Sequence, residues 1–430
     1  MHDKKVLIIT YYWPPSGGSG VQRWLKFVKY LPSFGWKPYV FTPENPSFEL
    51  KDESLLKDVP KEAEVIRFPI WEPYSLFNFL SGKRKESGKT FIPGSGKQSL
   101  FQKFSVWLRG NFIIPDPRVF WVRPSVKFLS EYLKENQITT IITTGPPHSI
   151  HLIGLKLKKK NPSLKWLADF RDPWSEWGFL DSIGAGVIAK ALHRRLERKV
   201  LQAADKVITI TPFYVKQFER LSGRTVNLLT NGFDEADFKN FTVKKTDKFL
   251  IRHIGIVNEK CDPRPFMKAL RQLCNENDEI KGSIVVEFVG EVHPLFIEFV
   301  KTDPTLTTRT KFTATVPHRE LIDIYGTSSM LLLILNGYKN AEGYMPGKLF
   351  EYLATGLPIL GVGPSVGNAA TVLNETKAGV MMEGESIISM KETLTLQFKN
   401  WKNETLSTKA VQSGKYSRRA VTEQLVELLE

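Results

Sequence analysis

The sequence predicts an α/β protein built from two doubly wound, mostly parallel-sheet domains, and three observations carry that prediction. At 430 residues the chain exceeds what a single hydrophobic core usually supports. Short, β-branched apolar runs alternate with helix-period segments, which is the grammar of a parallel sheet with crossover helices. That grammar then stops and restarts after Asn231-Gly232.

In the first half, Val6–Thr10 reads as a strand, Tyr11–Gly20 as a Pro/Gly-rich loop and Val21–Leu31 as the helix that follows. Further strands are expected over Gly35–Thr42, Ala63–Phe68, Thr139–Thr144, Lys165–Asp169 and Lys206–Thr211, with helices over Val126–Lys134 and Val187–Ala203. The polar stretch NGFDEADFKNFTVKKTDK reads as a linker, which places the boundary near 230–245. In the second half, strands are expected at Phe249–Ile256, Ser283–Val289, Lys311–Ala314, Met330–Leu335 and Ile359–Val362. Helices are expected there at Pro265–Asn275, Arg319–Tyr325 and Gly347–Ala354. The tail Gly414–Glu430 forms an amphipathic helix with Val421, Leu425 and Leu428/Leu429 on one face. The domains are therefore 1–235 and 236–413, with a closing helix over 414–430.

The formal net charge is +15, which asks for an acidic partner: nucleic acid, anionic lipid or a phosphorylated substrate. Cys261 and Cys274 are the two cysteines, too few for a disulfide framework, and a reducing cytoplasm follows. No run is long and apolar enough to span a membrane, and the apolar start is too short for a signal peptide. An insertion over about 71–125 combines the basic, Gly/Ser-rich loop Ser81–Ser99 with Trp71, Tyr74, Phe77 and Phe79 before it and Phe101, Phe104, Trp107 and Phe112 after it. Cations beside aromatics suit the headgroup zone of an anionic membrane surface.

Five segments carry chemistry. The loop Pro14–Gly20 opens the first helix; Gly17 and Gly18 let backbone approach a ligand where the helix terminus favours negative charge, although neither a G-x-G-x-x-G fingerprint nor a P-loop is present. Thr143-Thr144-Gly145-Pro146-Pro147-His148 lies at the C-terminal end of a strand, the edge at which open α/β sheets bind ligands, so His148 is a site candidate, while His151 faces inward. In Ala168-Asp169-Phe170-Arg171-Asp172-Pro173-Trp174, the residues Asp169, Arg171 and Asp172 either bind sugar hydroxyls or hold the loop by internal ion pairs. After His253-Ile254-Gly255-Ile256, Lys260 and Arg264 suit a diphosphate. In Gly343-Tyr344-Met345-Pro346-Gly347-Lys348-Leu349-Phe350-Glu351, Gly343 and Gly347 bring amides to a helix N-terminus, Lys348 adds a cation, and Glu351 on the same face is placed to accept ribose hydroxyls.

Taken in order, PPSGGSG, TTGPPHS, ADFRDPW, DKVITITP, LLTNGFD, HIGIVN, FVGEV and GKLFEYLATGLPIL resemble the retaining, metal-independent nucleotide-sugar glycosyltransferases of the GT-B fold, in the group labelled family 4. The resemblance spans nearly the whole chain. It implies two Rossmann-like domains facing each other across a cleft, with the C-terminal helix packing back on the first. It implies transfer of a sugar from a nucleoside-diphosphate sugar to an acceptor hydroxyl with retention, needing no metal and no cofactor. The +15 charge and the Trp71–Phe112 region favour a lipid-linked or cell-surface glycan acceptor, and a place in the cytoplasm or peripherally on the inner face of the cell membrane. It places His148 near the donor sugar, Gly17 and Gly18 on donor phosphate or acceptor, Lys260 or Arg264 with Lys348 on the diphosphate, and Glu351 on ribose. Two positions depart from the family pattern. Gly343 stands where the first of two paired glutamates is usual, and Cys261 stands near a usual arginine. No Asp-x-Asp pair is present to hold a metal. Rival readings are a GT-B sugar-nucleotide epimerase or phosphorylase and, in another class, a basic nucleic-acid-binding protein. The dispersed lysines and the lack of any nucleic-acid motif argue for no nucleic-acid partner.

Overall fold

Two sheets, each wholly parallel, organise the computed structural model, which describes residues 4–46, 51–72, 100–176, 179–317, 320–335, 337, 341–406 and 413–430. The chain divides into one unit of Met1–Thr230 with Val421–Glu430 and a second of Asn231–Ala420. The stretch holding Tyr74, Phe77, Phe79 and Ser81–Ser99, and the side chains of Phe101 and Phe104, lie outside the described residues.

The first unit contains β1 (Lys4–Ile9), β2 (Trp36–Pro43), β3 (Glu64–Phe68), β4 (Thr140–Gly145), β5 (Lys165–Phe170), β6 (Lys206–Thr209) and β7 (Asn227–Leu228) in the order β3-β2-β1-β4-β5-β6-β7. Successive side chains of a strand point to opposite faces, and β1 uses both. Leu7 and Ile9 join Phe41, Trp121 and Trp166 in one apolar layer. Val6 and Ile8 join Trp24, Leu25 and Val28 of the Ser19–Tyr30 helix in the other. Val421, Leu425 and Leu429 of the Arg418–Leu429 helix complete that second layer, each apolar side chain contributing about 1.5–3 kcal/mol of burial. The predicted strand Lys206–Thr211 stops at Thr209, because Thr211 instead caps the Pro212–Ser222 helix by accepting the Tyr214 N–H at 3.2 Å.

The second unit contains β8 (Phe249–Ile254), β9 (Ile284–Val289), β10 (Thr310–Thr313), β11 (Met330–Ile334), β12 (Ile359–Val362) and β13 (Gly379–Met382) in the order β10-β9-β8-β11-β12-β13. The strand expected to reach Ile256 ends at Ile254, since Gly255 takes φ 127°, outside what an L side chain adopts. The linker reading of 231–248 is corrected at its start. Phe233 is buried and its N–H and C=O pair with Tyr416 and Arg418, while Phe238 and Phe241 pack on the apolar cluster around Tyr325 and Leu353. Three phenylalanines in a polar stretch are enough to bind it to the core.

Each sheet reverses strand order once, between β1 and β4 and between β8 and β11. Ligands of open α/β sheets bind outside the carboxyl ends of the strands at such switch points. The residues that follow β1, β4 and β8 therefore lie at the edge where such a ligand would sit.

Candidate active site

In the first unit, β4 and β5 run in register to Gly145 opposite Phe170, and both continue into the predicted motifs. The Ser149–Lys160 helix starts immediately after His148, and the Asp116 carboxylate fixes that start by accepting the Ser149 N–H and hydroxyl, both at 2.8 Å. His148 is buried, and among the described residues neither of its ring nitrogens has a hydrogen-bond partner. Burial pushes its pKa well below the usual imidazole range, with His151 and Arg171 adding to the effect, so the ring is neutral. It lies flat against Trp174, with ring centres 5.2 Å apart and planes 3° apart. His151 is buried as expected, its Nδ1 2.9 Å from the Thr143 hydroxyl, and burial lowers its pKa to about 3.

Asp169 sits in the interior. Its carboxylate accepts from Arg23 (3.2 and 3.1 Å), from the Trp24 indole at 2.7 Å and from the Thr144 hydroxyl at 2.9 Å. Of the two roles open to it, the internal ion pair is the one these surroundings describe. Arg23 also donates to the carbonyls of Leu229 and Thr230. Arg171 latches loops together: it donates to the carbonyls of Gly20 (2.8 Å), Gly145 (3.2 Å) and Pro146 (2.6 Å). It thereby ties the glycine loop to the end of β4. Asp172 is half-buried, and desolvation raises its pKa against the pull of Arg171. Gly17 is half-buried and Gly18 exposed, at φ 87°, just ahead of the Ser19–Tyr30 helix.

In the second unit, the end of β8 meets the start of the Gly347–Thr355 helix. His253 is held by Leu332: its Nδ1 donates to that carbonyl at 2.9 Å, which leaves Nε2 as an acceptor 3.4 Å from the Lys348 ammonium. A Cβ on Gly255 would come within 2.6 Å of the same ammonium, so glycine there leaves room for it. Burial depresses Lys348 to a pKa of about 8, opposed by Cys261 and Glu351. Glu351 accepts the Tyr325 hydroxyl at 2.7 Å. Among the described residues nothing lies within 4 Å of a Cβ built on Gly347, so none of them crowds the helix terminus. Gly347, Lys348 and Glu351 thus share one helical turn, from which Lys348 reaches His253 and Gly255 and Glu351 reaches Tyr325.

The other predicted residues sit apart from that cluster or serve the fold around it. Arg264 is exposed and clamps Asp262 at 2.7 Å, which accounts for its charge locally. Lys260 is exposed, and its main chain is fixed by Asn258 and Gly337. Gly343 is buried in a short helical turn, its carbonyl accepting from Asn368 at 3.3 Å. Cys261, near Lys348, is a half-buried thiol whose pKa burial raises. Sequence reasoning missed Arg23, His253, Tyr325, His193 and Glu197 as site-shaping residues. Of these only His253, at a strand end before glycine, carried a local signal. Among the described residues no group of three or more His, Cys, Asp or Glu is placed to hold a metal ion, and no helix is long and apolar enough to cross a membrane.

Compared by sequence, the chain matches no family model and no curated protein. Compared by structure, it is similar over its whole length to a glycosyltransferase from Rickettsia africae, with TM-score 0.64, 13% identity and 100% and 98% of the two chains covered. It is likewise similar to sucrose-phosphate synthase from Thermosynechococcus elongatus, with TM-score 0.59, 14% identity and 99% and 98% covered. WaaG, a glycosyltransferase involved in lipopolysaccharide biosynthesis, matches at TM-score 0.54 and 13% identity, with 99% and 98% covered. At such identities the likeness is one of fold, and the fold of this chain is GT-B.

Proposed function

We propose that the chain is a glycosyltransferase that moves a sugar from a nucleoside-diphosphate sugar to an acceptor hydroxyl with retention, in cell-surface polysaccharide or glycolipid synthesis. The observation that carries this reading is the Lys348 ammonium. It is held beside neutral His253 and Gly255 at an open helix terminus, with the Glu351 carboxylate one turn further along. A cation and exposed amides there suit a diphosphate, and a carboxylate behind them suits ribose. As the sugar–phosphate bond breaks, negative charge builds on the leaving diphosphate, and preorganised donors stabilise it. In the first unit, neutral His148 with two unpartnered nitrogens accepts from or donates to a sugar hydroxyl, orienting it rather than serving as a strong base. Lys348 and the Gly347 amide supply the charge that a metal supplies elsewhere, so the reaction is read as metal-independent.

The structural likeness to sugar-transferring enzymes and the motif order support the same reading. The test is transfer of label from UDP-glucose, UDP-galactose, UDP-N-acetylglucosamine or GDP-mannose to a membrane extract in EDTA. Incorporation that Lys348→Met reduces at least tenfold supports the proposal; strict dependence on a divalent metal counts against it.

The acceptor side is read as an anionic membrane surface on the cytoplasmic face. The Asn111 side chain bonds Gly184 and Gly186 at 3.1 and 2.9 Å, joining the Leu100–Phe112 helix to the start of the Val187–Ala203 helix. Trp107, Phe112, Val187, Ile188 and Leu192 are all exposed on these two helices, which also carry Arg109, Lys190 and Arg194. A second feature of the same unit is a cationic groove of about 330 Å³ lined by Arg123, Val126, Lys127, Lys156, Lys159 and Lys160. Apolar tips with cations fit a lipid headgroup layer.

A further inference from the structure

His148 raises a mechanical question. A buried imidazole with both nitrogens unpartnered has no hydrogen bond to set its plane. What sets it is stacking. Trp174 lies parallel to it at 5.2 Å, with Phe170 and His151 within 6.2 Å and 6.1 Å. The orientation of Trp174 then decides the orientation of His148.

Trp174 is fixed at two points by one face of the Val187–Ala203 helix. Its indole N–H donates to His193 Nδ1 at 2.9 Å. Its backbone N–H donates to Glu197 Oε1 at 2.9 Å, and the next residue, Ser175, donates its N–H to Oε2 at 3.0 Å and its hydroxyl to the same oxygen. His193 and Glu197 are four apart, so they share a helix face, and both are buried. A buried carboxylate is costly unless its lone pairs are met, and among the described residues this one accepts from two consecutive residues, Trp174 and Ser175, beside the His148 ring. The donor–acceptor order requires His193 to be the Nε2–H tautomer, with Nδ1 free to accept.

We infer that His193 and Glu197 are positioning residues that set the His148 imidazole through Trp174. The inference rests on the role proposed above for His148, although the geometry of the chain His193–Trp174–His148 stands without it. The His193 acceptor fixes the rotation of the indole, and the Glu197 carboxylate fixes the depth of its backbone. The flat face they present leaves both His148 nitrogens buried and without a hydrogen-bond partner among the described residues, so a ligand hydroxyl that reaches the ring finds both unsatisfied.

The test uses the full chain labelled with ¹⁵N at its seven histidines. His193→Leu removes the acceptor, His193→Asn restores an acceptor near the Nδ1 position, and Trp174→Phe keeps a stacking ring without the N–H. Imidazole ¹⁵N spectra are recorded with and without UDP, and kcat and KM are measured on whichever UDP- or GDP-sugar turns over. The expected result is that His193→Leu and Trp174→Phe shift or broaden the His148 ring signals. Both also lower kcat at least tenfold with KM and UDP affinity within about threefold, and His193→Asn recovers most of each. If His193→Leu lowers thermal stability but leaves the His148 signals and kcat unchanged, His193 serves the fold only and the inference is overturned. If His193→Leu does not fold, unchanged His148 signals in Trp174→Phe overturn it equally. If no sugar nucleotide turns over, the transfer reading fails, while the spectra alone still decide the positioning.

Discussion

Asp169 and Lys348 are both charged groups drawn away from solvent, yet their surroundings prepare them for opposite duties. Asp169 is fully buried and every contact it makes is internal. Removing one partner of such a pair strands the other charge, at about 3–5 kcal/mol. Asp169→Ala should therefore lower stability by roughly that amount, read as a shift of the urea midpoint; a loss under about 1 kcal/mol contradicts the assignment. Lys348, in contrast, has a neutral imidazole beside it, and the neighbouring Gly347 meets nothing within 4 Å of a built Cβ among the described residues. Its pKa near 8 means it is charged below that pH and discharged above it. A bound diphosphate favours the ammonium and raises its pKa, so binding takes up protons near pH 8. UDP affinity should be flat from pH 6.5 to 7.5 and fall about tenfold per pH unit above 8, until the raised pKa of the complex is reached. Calorimetry in buffers of different ionisation enthalpy checks this, and an affinity constant to pH 9.5 contradicts it.

At the scale of elements, the start of the Gly347–Thr355 helix separates stability from binding. A Cβ at Gly347 meets nothing within 4 Å among the described residues, so Gly347→Ala should leave the melting temperature unchanged or slightly raised. The same methyl group would stand where a phosphate must approach the amides, and UDP binding should weaken about tenfold or more. Unaltered binding in a stable Gly347→Ala chain would refute the phosphate site. Most of this element was legible beforehand: the glycine, the lysine and the glutamate on one helix face all follow from spacing in GKLFE. The partners that tune it were not. His253 and Tyr325 reach the helix from separate elements, and only the folded sheet brings them there. Likewise β7 is two residues long and β13 is a half-exposed four-residue edge, neither with enough pattern to read. The pairing of His193 and Glu197 with Trp174 is a tertiary event between residues 19 and 23 apart, which no local period reports.

At the scale of the molecule, the net charge of +15 asked for an acidic partner, and the fold now distributes the candidates. The exposed apolar ends of the Leu100–Phe112 and Val187–Ala203 helices belong to the first unit. Ile188→Glu should cut sedimentation with phosphatidylglycerol liposomes at least fivefold without changing the melting temperature, because Ile188 packs little against the protein; undiminished binding would remove that surface from the account. The central claim concerns the second unit, where Lys348 is proposed to hold a nucleoside diphosphate. Its most direct test is isothermal titration of UDP, GDP, ADP and dTDP into the full chain in EDTA at pH 7, repeated with Lys348→Met. Micromolar binding of at least one nucleotide is expected, with a loss of tenfold or more in the variant. No binding by any of the four, or equal binding by the variant, would contradict it.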